Sequence, residues 1–325
     1  MITNDKPFKV VSEQVAILKN RGISIIDQKS AEQFLIMHNY YSMINDYGKF
    51  FTVSSDVYIP SVTLKDINSA FIFDKSIKGI LFIHLLEVEK YLKATLAYYF
   101  CLEHPVQYDY LNINCYRHAT PKDRLNAVDI ISRISKVINE YSQIPSNPIN
   151  HYINKHGGVP VWVVIQFMYF GDVIKMLKCC NAKIQSNVAR EFSKFMKENC
   201  NDQSVFIEPS NLLSILYEIK DIRNIVAHNN RLFNYCGSHS IPYIKSIHDP
   251  LGIPASSSKT DLYNTYVIMK CLISKNEFSN MHNSIRKRFK DLKRTITCID
   301  YNRITYALGF PKDWYDNTST MQQPH

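Results

Sequence analysis

Through most of the chain, apolar residues recur at three- and four-residue intervals, the repeat of a single buried stripe on an α-helix. Val15, Ile17 and Leu18 mark a first helix that begins near Ser12 and is ended by Gly22. Ala31, Phe34 and Leu35 mark a second, begun by Ser30. Thr63 stands as the N-cap of a long stretch. In it Ile67, Phe71, Asp74, Ile77 and Leu81 hold one register, resumed by Leu85, Val88, Leu92 and Leu96. The stretch is one bent helix or two, with Gly79 at the bend. Pro121 suits the first turn of a helix running to about Tyr141. Further helical patterns cover roughly 161–180, 184–199, 209–230, 259–275 and 277–298, while 236–258 is irregular. The expected fold class is all-α, a helical bundle.

Only 9 of the 325 residues are Gly, too few for a sheet of many hairpin turns. We expect a single domain over residues 1–325. Segment 143–160, with three prolines and Gly157-Gly158, is the loop-rich junction between an N-terminal lobe, 1–142, and a second lobe, 161–325. The longest apolar segment, 159–170, is too short to span a bilayer and contains Gln166, so no membrane partner is expected. The start, MITNDKPFKV, lacks the apolar stretch of a secretion signal. The eight cysteines form no CxxC pair and no Cys/His ladder. They read as reduced thiols of a cytoplasmic protein, and no zinc site is expected. The net charge of +9 favours a polyanionic partner.

Chemistry concentrates in Pro209 to about Arg231, read as one helix. Leu212, Ile215, Leu216, Ile219, Ile222 and Val226 form its apolar face. Asp221, Asn224, His228 and Arg231 follow one another at three- and four-residue steps on the opposite side. A histidine there can give or take a proton near neutral pH, its unperturbed pKa being about 6.5. Arg223 and His228 are separated by four residues, and with 11 His and 11 Arg roughly one such pair arises by chance at four to six intervening residues. An Asn directly after the Arg lowers that expectation below about a tenth. No other histidine has an arginine at that spacing. The bland alternative has Arg223 reaching past the core to a buried carboxylate and His228 serving as a helix-terminal histidine.

The run from Ile222 to Asn234, IRNIVAHNNRLFN, resembles the signature of the abortive-infection AbiD/AbiF-like family, roughly L-R-N-x-x-A-H-x-x-R-L-[WF]-N. Lys6-Pro7-Phe8 with Gln14, Leu18 and Arg21-Gly22 resembles the family's opening. Asn39-Tyr40-Tyr41 through Tyr47 and Phe50 resembles its Tyr-rich turn, and Phe73-Asp74 fits as well. Trp162 with Phe170-Gly171 resembles its central element, and Gly309-Phe310-Pro311-Lys312-Asp313-Trp314 its close. The chain departs from the pattern at Ser42, Asn45-Asp46, Asp172 and Phe233, none of them in the Arg-Asn…His core.

The resemblance implies a HEPN-type helical bundle with additional N- and C-terminal helices, and metal-independent RNA cleavage in phage defence by growth arrest. HEPN nucleases pair two Arg…His motifs in one cleft, so one motif per chain implies a homodimer. Some relatives are associated with a small noncoding RNA, which makes RNA a regulatory ligand as well as the substrate. In this reading Arg223, Asn224 and His228 are catalytic, with no cofactor and no metal. Arg231, Arg286, Arg288 and Lys293 are phosphate-binding candidates, the last three on a basic C-terminal run. Their bland reading is capping or a solvated helix face. Tyr40, Tyr41 and Tyr47 read as packing residues rather than base platforms. The leading rival is a noncatalytic, noncoding-RNA-associated defence protein of the same fold. An antitoxin-like scaffold and a nucleotide- or tRNA-end-modifying enzyme are others.

Overall fold

The computed structural model describes residues 7–322. Lys6, part of the resemblance to the family's opening, lies outside them. Helices dominate, and among the described residues the only sheet is an antiparallel pair, Thr52–Ser54 with Val57–Tyr58, so the fold is all-α. No helix among the described residues is long and apolar enough to cross a membrane.

Local chemistry explains where the helices begin and stop. Thr63 and Asp66 form a reciprocal cap in which the Thr63 amide reaches Asp66 Oδ2 at 2.9 Å. The helix they open runs unbroken as Leu64–Glu103, and Gly79 interrupts nothing. Thr120 and Asp123 cap Pro121–Ser142 in the same way, with Pro121 in its first turn. Gln28–His38 opens two residues before Ser30, because the Asp27 carboxylate accepts the Lys29 and Ser30 amides. Segment 143–160, expected to be loop-rich, contains the helix Pro148–His156, capped by Asn147 and ended by Gly157 at φ 71°. The expected helix over 161–180 is two, Val161–Phe167 and Phe170–Cys179, divided where Met168 and Tyr169 turn extended.

The chain packs as two compact units, each drawn from separated stretches of sequence. One takes residues 7–81, His228–Tyr235 and Met281–Met321. Its helices Val11–Asn20 and Gln28–His38 pack on each other. An aromatic cluster fills its centre: Phe73 meets Phe233 and Phe289, and Phe289 meets Phe310 and Trp314. With ring centroids 4.8–6.4 Å apart, these pairs bring large apolar burial plus about 0.5–1.5 kcal/mol per pair. The other unit takes Phe82–Ala227 and Cys236–Asn280. There Pro121–Ser142 packs on Phe170–Cys179, and Ala182–Cys200 and Pro209–Ala227 pack on each other. Leu85, Val88, Leu92 and Leu96 of the long helix are fully buried, as the register predicts.

Candidate functional site

The helix carrying the motif is Pro209–Ala227. All six predicted apolar positions, Leu212 to Val226, are buried. Its C-terminal end falls four residues before the expected Arg231. The backbone instead turns left-handed at Asn229, φ 56°, a conformation that asparagine tolerates better than most residues. His228 is therefore the first residue past the helix, and Arg231 lies in irregular chain rather than on a helical stripe. Arg223 and Asn224 fall in the second unit, His228 and Arg231 in the first, and the Ala227–His228 peptide joins them.

In the second unit, Arg223 points at the long helix. Its Nη2 lies 3.2 Å from Glu89 Oε2, and its side chain is 27 % exposed. Glu89 also takes Lys93, at 2.9 Å, while Lys93 Nζ donates to the Gln166 carbonyl at 3.2 Å. Two cations thus share one nearly buried carboxylate, leaving a surplus of one positive charge. Arg223 Nη1 sits 3.5 Å from Asn224 Oδ1, and Arg223 Nε is buried without a hydrogen-bond partner. Asn224 is exposed. Asp221 does not hold Arg223. It takes Lys220 at 2.8 Å and Ser238 Oγ at 2.7 Å. Burial works against its ionisation, but the hydrogen bonds from Lys220 and Ser238 outweigh that and keep its carboxyl below the ordinary value.

In the first unit, His228 is exposed and the chain after it is clamped. Asp74, fully buried, accepts the Leu232 amide at 3.0 Å through Oδ1 and the Tyr47 hydroxyl at 3.0 Å through Oδ2. Lys78, one turn on, lies 3.0 Å from Asp74 and donates to the Asn229 carbonyl at 3.3 Å. Burial and the Asp74 charge raise the Tyr47 pKa far above its usual value, so it stays a donor. Arg231 Nη1 reaches Asp46 Oδ1 at 2.9 Å and the Asp46 carbonyl at 3.2 Å. The Tyr-rich turn and the long helix thus fix residues 229–233. Tyr47 packs as expected, whereas Tyr41, on the outer side of that turn, is 72 % exposed.

The C-terminal basic run lies on Lys275–Thr295. Arg286 Nη1 is committed to the Tyr315 carbonyl, the Thr318 carbonyl and Thr318 Oγ1, with its guanidinium 4.8 Å from the Tyr315 ring centre. Lys293 grips both oxygens of Asp316, at 2.8 and 2.7 Å. Arg288 pairs with Asp291 at 3.3 Å. These three side chains tie the run to its own surroundings, and Lys287, Lys290 and Arg294 are exposed cations beside them.

The bland alternative for Arg223, a buried carboxylate past the core, is met by Glu89, which the sequence does not name; Asp46 stands in the sequence only as a departure from the family pattern, and Lys93 and Lys78 carry no signal there. Asp74 did carry a signal, an acidic residue standing in an otherwise apolar register. Beside the motif helix, ligand atoms of Glu218, Asp221 and His239 lie within 4.8 Å of one another, but the Lys220 ammonium already sits on Asp221.

A family model described as Abi-like protein matches residues 33–234, more than half of the chain. The match takes in the Tyr-rich turn, the whole long helix and the segment from Arg223 to Phe233. No curated protein and no solved structure gives a significant match. The chain belongs to the Abi-like protein family, a membership that supports a role in abortive infection.

Proposed function

We propose that the protein is a metal-independent endoribonuclease of the HEPN type, active as a homodimer in phage defence, with Arg223, Asn224 and His228 at the cleavage site. The observation that carries this reading is the Arg-Asn-x3-His motif, inside the family-matched segment, with exposed Asn224 and His228 and an Arg223 whose charge the Glu89 carboxylate, shared with Lys93, does not cancel. Its polar residues need no metal to perform RNA transesterification.

His228 takes the proton of a ribose 2′-hydroxyl, or delivers one to the departing 5′-oxygen. The 2′-oxygen bonds to phosphorus as the bond to the 5′-oxygen breaks. The products are a 2′,3′-cyclic phosphate and a 5′-hydroxyl, and DNA, lacking the nucleophile, is inert. Arg223 neutralises the phosphoryl oxygens in the transition state. Glu89 holds that guanidinium in place, and the pairing with Lys93 keeps Glu89 from cancelling it. Asn224 orients the phosphate. Arg231 serves the turn through Asp46 and is a secondary phosphate contact.

The test is RNA-end mapping after inducing wild type and His228→Ala side by side. Wild type yields growth arrest and new cyclic-phosphate ends, and the variant yields neither. Identical end profiles would overturn the proposal in favour of a noncatalytic RNA-binding protein.

A further inference from the structure

We propose that His104, Asp109 and Cys115 form a binding site for a zinc-class divalent cation. The proposal does not depend on the nuclease reading. One ligand atom from each of the three side chains lies within 4.8 Å of the others. The set is an imidazole nitrogen, a carboxylate oxygen and a thiol sulfur, each a zinc ligand. Mg²⁺ and Ca²⁺ prefer oxygen alone and gain little from Sγ. Metal–ligand bonds of about 2.0–2.3 Å at tetrahedral angles place ligand atoms roughly 3.3–3.6 Å apart. The cluster therefore has to contract by no more than about 1.5 Å, within the reach of side-chain rotation.

The backbone around the cluster is fixed independently of it. His104 is the first residue past the long helix. Asp109 opens one 3-10 turn, Asp109–Leu111, and Cys115 closes the next, Ile113–Cys115. The Tyr110 hydroxyl ties the first turn to the Val159 carbonyl at 2.6 Å, and the Tyr116 hydroxyl returns to the Tyr110 carbonyl at 2.7 Å. Asp109 Oδ2 accepts the Val106 amide at 3.1 Å, which orients the carboxylate as a second partner orients a metal ligand. One feature points to a missing partner. His104 Nε2 is buried with no hydrogen bond, a cost that a metal bond or a neighbouring donor would remove. Cys115 is buried and forms no disulfide.

Three protein ligands leave one position of a tetrahedron for water or a small ligand. His104 also lines a cavity of about 260 Å³, walled by Phe100, Tyr108, Tyr152, His156 and Trp162. The cavity offers the room for that fourth ligand. On binding, Cys115 loses its thiol proton to solvent and the thiolate bonds to the metal.

The experiment uses the full chain without a metal-binding tag. It is dialysed against Zn²⁺, then against metal-free buffer, and its metal content is measured. A parallel sample is titrated with Co²⁺. The expected result is one retained zinc per chain, and a cobalt form with intense thiolate-to-metal absorption. Cys115→Ser abolishes that absorption, and Asp109→Asn lowers zinc affinity roughly tenfold or more. Cys101→Ser, on the cavity wall, leaves both unchanged. No retained zinc overturns the proposal. So does cobalt absorption that survives Cys115→Ser, or zinc that is lost with His239→Ala and kept with His104→Gln. Should Cys115→Ser fail to fold, Asp109→Asn and His104→Gln decide the outcome by the same measurements.

Discussion

Asp74 accepts the backbone amide of Leu232 at 3.0 Å, joining the long helix to the segment that follows His228. The same carboxylate holds Tyr47 and Lys78, so one buried acid satisfies three donors from three parts of the chain. Replacing it by alanine strands a nearly buried ammonium at Lys78 and an unpaired amide at Leu232. Breaking a buried pair by removing one partner costs about 3–5 kcal/mol. We expect Asp74→Ala to lower the unfolding free energy by that amount, read as a fall in the denaturant midpoint at unchanged slope. A midpoint within experimental error of wild type would show that the hub is dispensable.

Glu89 plays a comparable part in the second unit, but between two cations. Glu89→Gln leaves Arg223 and Lys93 repelling each other without a counter-charge. Stability falls, and Arg223 loses the partner that aims it. A misplacement of about 1 Å in a positioning group can cost roughly 100-fold in rate. In the nuclease reading, Glu89→Gln lowers cleavage by about that factor while RNA affinity, with one negative charge removed, holds or rises. Single-turnover cleavage alongside filter binding separates the two. Loss of affinity in step with rate would mean that Glu89 only supports the fold.

Much of the fold follows from side-chain chemistry a few residues apart. Thr63 with Asp66 and Thr120 with Asp123 announce their helices because each cap is complete within four residues. Asn147-Pro148 carries the same cue, but the surrounding prolines and Gly157-Gly158 outweigh it in sequence, where the helix Pro148–His156 reads as loop. The apolar face of Pro209–Ala227 was readable in full, since burial obeys the helical repeat. Its end was not, because periodicity is blind to the left-handed turn at Asn229. The Arg-Asn-x3-His spacing is visible in sequence, whereas Glu89 and Asp46 are remote from Arg223 and Arg231 along the chain. Only the folded backbone brings such pairs together.

Arg286 separates a structural arginine from an RNA-binding one. Its guanidinium already holds Tyr315 and Thr318, so Arg286→Ala leaves the Tyr315 and Thr318 carbonyls without their charged donor. We expect a loss of about 1–3 kcal/mol in stability. The paired substitution of exposed Lys287 and Lys290 by Gln should instead leave stability within about 0.5 kcal/mol. If the run tracks RNA, it reduces the salt dependence of RNA binding. Equal effects of the two variants on RNA binding, with neither touching stability, would assign Arg286 to the ligand after all.

His248 sets an acid limit on stability. Its side chain is fully buried, its Nδ1 accepts the Ile244 amide at 3.0 Å, and its Nε2 has no hydrogen-bond partner. Burial lowers its pKa below the ordinary value, with the nearby Lys259 charge acting in the same direction. The unfolded chain therefore binds this proton more readily than the folded one. The contribution of neutral His248 is fully present above the unfolded value of about 6.5 and is lost as pH falls from there toward the folded pKa. Over that window the loss reaches about 1.4 kcal/mol per pH unit. His248→Gln, which cannot titrate, should flatten this part of the stability profile while lowering its plateau. Urea unfolding at closely spaced pH values from 7.5 to about 5 reads both effects, and a wild-type profile no steeper than the variant's would remove His248 as the cause.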